Sequence, residues 1–372
     1  MTANPLRVPE LLTQCIGHLR ADSTPDLPHC ALVARAWVYP AQAHLFRALI
    51  FVGRGFYKPQ SLNWAQFQKI IGTSPHLIQH VRQLTIFFGR VDIGTLSELS
   101  DFRFTHLENL DSRYYDDSSL QYVLAHQKLL SLDTLRSVKL KVEGSLPEPE
   151  IFLKIWDSCR SPLLKRLELE LGGPLPLSAS SALPITSRAA PVALNVLRMT
   201  GGGIIDIRLA SMFYAWNLTS LKALWLDGSF IVAWMEIPLL IPAIEVLSII
   251  LRSSDIDLDL SSFPNLSVLR VHVHHRLETT RDIFRHILST IAPSSHIHTF
   301  MFSFLRLDPL IAAEVDSILS TLTLEHTHKV EVELYPRDLS TVPVHFPGLT
   351  ARNMLHYGNQ NYSWWENMID TL

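Results

Sequence analysis

The chain has 372 residues, 47% of them hydrophobic and 18% charged, with 32 Lys and Arg against 35 Asp and Glu for a net charge of −3. That apolar content argues against intrinsic disorder, and the near-neutral balance offers no basic surplus for nucleic acid or anionic membrane. Cys15, Cys30 and Cys159 are odd in number and far apart. They fit neither a zinc-type spacing nor a disulfide framework, which points to a reducing compartment.

The opening MTANPLRVPE has no apolar signal-peptide core. Three short helices are predicted after it, at roughly 9–19, 25–38 and 40–49. Pro9 and Pro25 sit where helices begin, Thr24 is a good N-cap, and Asp26 places negative charge in a first turn. Pro40 is expected to stop the second helix near Val38 and to start the third. The second helix contains CALVARAW (30–37), in which Cys30, Ala31, Ala34 and Trp37 form one apolar stripe while Leu32 and Val33 lie off it. A helix wetted on one side needs a polar stripe, and this one has a second apolar face instead. Three short helices cannot hide two apolar faces each, so the surplus is covered by the rest of the chain or by another protein.

Three pieces in order, VPELLTQCIGHL, CALVARAW and AHLFRAL, resemble the F-box in the version found in fungal F-box and leucine-rich-repeat proteins. The likeness rests on Val8-Pro9, Glu10-Leu11-Leu12, Ile16, Leu19, Leu32-Val33, Arg35, Trp37 and Leu45-Phe46, with Val8 in place of the commoner Leu and Ala36 in place of a polar residue. The resemblance implies docking on a Skp-type adaptor, and through it on a cullin scaffold, with Pro9, Leu12, Ile16, Leu19, Leu32, Val33 and Trp37 supplying the contact. The alternative is that the surplus face packs on the following domain as an N-terminal cap. The expected organisation is an F-box-like helical domain over 1–52, a linker over 53–74 that includes GRGFYKPQS, and a repeat solenoid over 75–372.

From residue 81 a pattern recurs: apolar-x-x-apolar-x-apolar. It reads VRQLTI (81–86), LENLDS (107–112, its third apolar position lost), LRSVKL (135–140), LKRLEL (164–169) and LNVLRM (194–199). It continues as LKALWL (221–226), IEVLSI (244–249), LSVLRV (266–271), IHTFMF (297–302) and the weaker THKVEV (327–332). The copies lie roughly 22–31 residues apart, bracketing the leucine-rich-repeat period. Each copy is expected to be a short strand stacked beside the next, with helix-like stretches between, such as EIFLKIWDSCR (150–160), DIRLASMFYAWN (206–217) and TRDIFRHILSTI (280–291). The fold class predicted is therefore α/β: a three-helix F-box, then a leucine-rich-repeat solenoid with a parallel concave sheet.

The segment 172–191, rich in Pro, Ser, Gly and Ala, is expected to be an insertion on one rim, and Trp364 and Trp365 to cap the last repeat. The apolar run 230–251 carries Glu236, Glu245, Pro238 and Pro242, which suits soluble core rather than a membrane span. Cytoplasm or nucleus is the expected address.

No GxSxG, P-loop or HExxH occurs in the sequence. TGGGIID (200–206) lacks the Lys of a phosphate cradle and reads as a tight turn, and DIDLDL (255–260) lacks the Gly and distal Glu of a calcium loop. His296 and His298 recur as His326 and His328 one repeat later, and HVHH (272–275) adds more, but no ligand set is completed by sequence. Surface polar residues are the favoured reading, with joint protonation loosening that end of the solenoid as the alternative. Neither a metal nor a cofactor is expected.

The fifth position of each copy faces out of the sheet: Thr85, Asp111, Lys139, Glu168, Arg198, Trp225, Ser248, Arg270, Met301 and Glu331. Lys139, Glu168, Arg198, Trp225 and Arg270 are the candidate substrate-binding residues, with Arg and Trp the types favoured as interface anchors. Either Trp225 binds a partner there, or a rim loop such as 172–191 folds over it. The function expected is a non-catalytic substrate-recognition subunit of a Skp-cullin-F-box ubiquitin ligase, holding a protein target on the repeats. The alternative is an interaction scaffold with a degenerate F-box. A hydrolase lacks any nucleophile–base spacing.

Overall fold

The computed structural model describes residues 14–16, 29–30, 35–52, 64–88, 93–114, 126–142, 158–171, 193–201, 218–227, 243–251, 258–273, 280–292, 295–304, 307–321, 329–334, 342–359 and 364–369. The chain divides into two compact units, Met1–Leu164 and Lys165–Leu372. Twelve strands follow one another in chain order among these residues. Within each unit every strand pairs in parallel with its chain neighbours, an α/β arrangement consistent with a repeat solenoid.

The first unit holds β1 (Ala48–Val52), β2 (Gln83–Phe88), β3 (Asn109–Tyr114) and β4 (Ser137–Val142). The second holds β5 (Arg166–Leu171), β6 (Val196–Gly201), β7 (Ala223–Asp227), β8 (Val246–Leu251), β9 (Val268–Val273), β10 (Thr299–Phe304), β11 (Lys329–Leu334) and β12 (Leu355–Asn359). All ten predicted copies become strands, each starting at the third position of its copy, or in β7 over five residues from that same position.

The repeat is written into the backbone as well as the side chains. The carbonyl at the second position of a copy accepts the N–H groups of the second and third positions of the next. Arg47 serves Arg82 and Gln83, Arg82 serves Glu108 and Asn109, and Glu108 serves Arg136 and Ser137. In the second unit Lys165, Asn195, Lys222, Glu245 and Ser267 repeat the arrangement. First-position side chains, Val81, Leu107, Leu135, Leu164, Leu194, Leu221, Ile244 and Leu266, are fully buried beside it.

Arg47 in that series corrects the expected organisation. Phe46, Leu49 and Phe51 carry the same apolar spacing as the later copies, so a copy begins at residue 46 and its strand β1 pairs with β2 in register Leu49↔Leu84. The third helix expected over 40–49 therefore has different bounds, beginning before Pro40 and stopping at Leu45. A single helix α1 (Arg35–Leu45) runs through Pro40 and ends before the strand. Pro40 is buried at the sixth residue of this helix. There it removes one backbone donor without stopping the helix, the side chain being held by packing. A second helix, α2 (Trp64–Thr73), lies in the stretch expected to be linker, with Phe67 and Ile71 buried. Residues 53–61 themselves lie outside the described residues.

In the first unit α2 and α3 (Ile93–Asp101) cover the strands. Phe67 sits edge-on to Phe51 at 4.9 Å and to Phe102 at 5.4 Å. Glu98 of α3 accepts hydrogen bonds from Trp64 Nε1 at 3.1 Å and Gln68 Nε2 at 2.7 Å. The copy that lost its third apolar residue has a specific replacement. Ser112 is fully buried and hydrogen-bonded to His126 Nε2 at 3.1 Å, beside the Tyr114 ring.

In the second unit α4 (Thr280–Ser289) forms as its periodicity requires, with Ile283, Phe284 and Ile287 buried. Phe284 meets Phe302 at 5.7 Å and Phe304 at 6.2 Å, so even-numbered positions of the copy face the helices. Helix α5 (Pro309–Thr321) begins with Asp308 accepting the Leu310 N–H at 2.9 Å and with Pro309 at its first position. Its buried Asp316 in turn accepts the Gly348 and Leu349 N–H groups at 2.9 and 2.8 Å, just past α6 (Val342–His345) and at the start of α7 (Pro347–Ala351). No helix among the described residues is long and apolar enough to cross a membrane.

Candidate functional site

In the second unit the odd positions of the strands lie on the sheet face opposite α4, which packs on even positions. Strand register brings the fifth positions into one lateral row: Glu168, Arg198, Trp225, Ser248, Arg270, Met301, Glu331 and His356 are successive Cα partners. In the first unit Thr85, Asp111 and Lys139 align in the same way. The alternation of side chains along a strand thus does what the sequence predicts.

The row is not an open surface. Glu168 and Arg270 are 2% and 3% exposed, and Ser248 and Met301 are fully buried. Taking a charge from water is tolerable only when it is paired, and each charge here is. Glu168 is bonded by Arg166 and by Arg198 Nη1, the latter at 3.4 Å. Arg270 reaches along the odd face to Ser303 Oγ, at 3.0 Å from Nη2, and to the Glu333 carboxylate, while Ser303 donates its hydroxyl proton to the same carboxylate. Burial pulls the Arg270 guanidinium below the ordinary arginine range, and Glu333 pulls it back up. Ser303 and Glu333 occupy the seventh positions of their copies and were not singled out from sequence; the same alternation that placed the fifth positions would have found them.

Trp225 is the hub of the row. The Arg198 guanidinium lies 3.8 Å from its ring centroid and that of Arg270 lies 5.8 Å away. An indole from the C-terminus completes the stack: Trp365 meets Trp225 edge-to-face at 5.0 Å. Trp365 belongs to α8 (Trp364–Ile369), is fully buried, and packs with Ile369 against Val196, Ala223, Val246, Val268 and Met301. This corrects one expectation. The C-terminal tryptophan does not cap the last repeat but returns to the odd face of β6–β10. This helix packs on Trp225, and 172–191, the loop offered as its cover, lies outside the described residues. A six-residue helix carries too little periodic signal to reveal such a distant placement.

Among the described residues, Trp225 Nε1, Ser248 Oγ and Thr200 Oγ1 are buried without a hydrogen-bond partner. Buried polar atoms are usually satisfied, so Trp225 and Ser248, register partners on β7 and β8, offer unused bonding capacity side by side.

Of the candidate adaptor-binding residues, Ile16 and Trp37 are described; Pro9, Leu12, Leu19, Leu32 and Val33 lie outside the described residues. Ile16 is fully buried with Ala41, and Cys30, Trp37 and Leu45 pack against them. Its side chain is therefore used inside the helical cluster and unavailable to a partner, whereas Trp37 is half-buried. Tyr39 of α1 meets the His80 ring edge-on at 4.9 Å, joining these helices to the turn that precedes β2.

The remaining motifs take structural roles where they are described. Asp259 accepts the Ser261 N–H at 2.9 Å and caps a short turn, and His298 Nδ1 bonds the Thr299 hydroxyl at 2.9 Å. Asp255, Asp257, His326 and His328, and 202–206 of the glycine turn, lie outside the described residues. Burial pushes the Cys159 thiol up to about 12, which removes it as a nucleophile. Among the described residues no cluster of His, Cys, Asp or Glu is arranged to hold a metal ion.

No protein-family model matches this chain, and comparison with curated proteins finds no match.

Proposed function

We propose that this chain is a recognition subunit without chemistry of its own, which holds a protein segment on the odd face of its second unit. The observation that carries the reading is the row Arg198–Trp225–Arg270. It combines two guanidiniums and an indole in a pre-ordered stack, with their charges already paired. Preorganised Arg and Trp are the side chains that carry most interface energy. The finer reading is a substrate receptor of a Skp-cullin-F-box ubiquitin ligase, supported by the F-box resemblance of residues 8–46.

One observation favours a second reading, in which the N-terminal helices are only a cap and the chain is a scaffold. Helix α1 passes directly into β1, and Tyr39 packs on His80. Co-expression of the full chain with a Skp-type adaptor separates the two. A stoichiometric complex on gel filtration is expected for the receptor, and elution of the two proteins apart refutes it.

A further inference from the structure

We infer that the odd face of β6–β10 is a docking groove for a short helix carrying an indole and an aliphatic residue four positions later, and that α8 is its built-in occupant. The inference rests on the reading of that face as a ligand site and names the ligand class.

Three features of the groove support it. The receiving surface is a set of small and β-branched side chains, Val196, Ala223, Val246 and Val268, the third positions of four successive copies, with Met301 in the same cluster. Trp365 and Ile369, four residues apart on one face of α8, are the buried pair that fills it. A helix of six residues is far below the length that sustains itself in water, so the trough imposes the helical form. That is the helix-in-groove mode of peptide recognition, read as apolar anchors at helical spacing.

The buried charges of the groove have partners within the sheet. Glu168 is neutralised by Arg166 and Arg198, and Arg270 by Glu333, all from the sheet itself. Removing α8 exposes an apolar trough and an indole and leaves these pairs within the sheet in place. The helix does not use all that the site offers. Among the described residues Trp225 Nε1 and Ser248 Oγ, direct neighbours across β7 and β8, are buried without a partner. A competing helix that brings a carbonyl or carboxylate acceptor to these two donors gains hydrogen bonds there. A tethered occupant lowers the apparent affinity for any competitor by the fraction of time the groove is open, so the arrangement keeps the site closed to weak ligands.

The test is a fluorescence-anisotropy titration of a labelled peptide spanning residues 361–372 into the full chain and into its Trp365→Ala variant. The variant is expected to bind the peptide at least tenfold more tightly than the unmodified chain. A scrambled peptide of the same composition is expected not to bind. Equal binding of both peptides keeps the face as a ligand site but overturns the helix class. No binding of either peptide to a folded variant overturns the inference and the ligand-site reading together. A Trp365→Ala chain that loses its β circular-dichroism signal, or the milder Trp365→Phe chain that does so, makes α8 permanent core and also overturns the inference. An unmodified chain that elutes as a dimer, with added peptide splitting it, makes the occupant the helix of a second copy and contradicts the built-in closure.

Discussion

Replacing Glu333 by Leu exposes the energetic logic of the charged row. The Arg270 guanidinium is 3% exposed, and its partners on the odd face include the Glu333 carboxylate and the Ser303 hydroxyl. The substitution removes the carboxylate bonded to the guanidinium and leaves a buried cation short of its directly paired charge. Breaking a buried pair in this way costs about 3–5 kcal/mol, whereas replacing both members by apolar groups is about neutral or stabilising. The single variant Glu333→Leu is therefore expected to be destabilised by about that amount, and the double variant Arg270→Met/Glu333→Leu to recover most of it. The chain has two units and many repeats, so one global unfolding energy is an ambiguous readout. Hydrogen exchange over β9, β10 and β11 reads the local opening instead. A loss of about 3 kcal/mol, at a factor of ten per 1.4 kcal/mol, speeds exchange there on the order of a hundredfold. Exchange in β1–β4 stays unchanged. A single variant that costs less than about 1 kcal/mol, or a double variant no better than the single, contradicts the picture of a dry and paired row.

His80 provides a pH test. Its burial, together with His76, Arg82 and His106 nearby, holds its pKa below the ordinary 6.5. The folded state thus binds fewer protons than the unfolded state. The stability it contributes is present above pH 6.5 and is lost as pH falls from there through the depressed value. Thermal melts of the wild-type chain and of His80→Phe are expected to converge at neutral pH and to separate below pH 6, with the wild type melting lower; parallel curves contradict this. Gly348→Ala puts a methyl group 2.9 Å from Ser320 Cβ and 3.0 Å from Asp316 Oδ2. Overpacking of that kind costs about 1–3 kcal/mol, so faster exchange confined to α5 and α7 is expected, and an unchanged pattern refutes the contact.

The strands were legible because the copy pattern fixes both spacing and alternation. Val81, Leu84 and Ile86 in one copy predict Leu266, Leu269 and Val271 in another, and all six are buried. Reading that pattern from residue 81 missed the copy at Phe46, because its residues also satisfy a helical spacing and Pro40 suggested a helix start. A proline is a weak stop where packing holds the helix around it, as it does beside buried Ala41. The fifth-position row was placed correctly side by side, yet its burial was not legible. Glu168 and Arg270 read as solvated charges until Arg166, Ser303 and Glu333 are set beside them. Trp365 was beyond reach of local reasoning, since its partners Val196 to Met301 lie far away along the chain.

The central proposal is that the N-terminal helices present an apolar face to an adaptor while the repeats hold a target. By sequence spacing alone, Leu32 and Val33, outside the described residues, fall off the stripe that includes Trp37. Burying both in a partner is worth on the order of 3–5 kcal/mol. The decisive measurement is co-purification of a Skp-type adaptor with the full chain carrying Leu32→Asp and Val33→Lys together, beside the unmodified chain. The account predicts that the unmodified chain retains the adaptor and that the double variant loses it while keeping its β circular-dichroism signal. A double variant that still retains the adaptor contradicts the interface, and one that unfolds the whole chain makes that face part of the core.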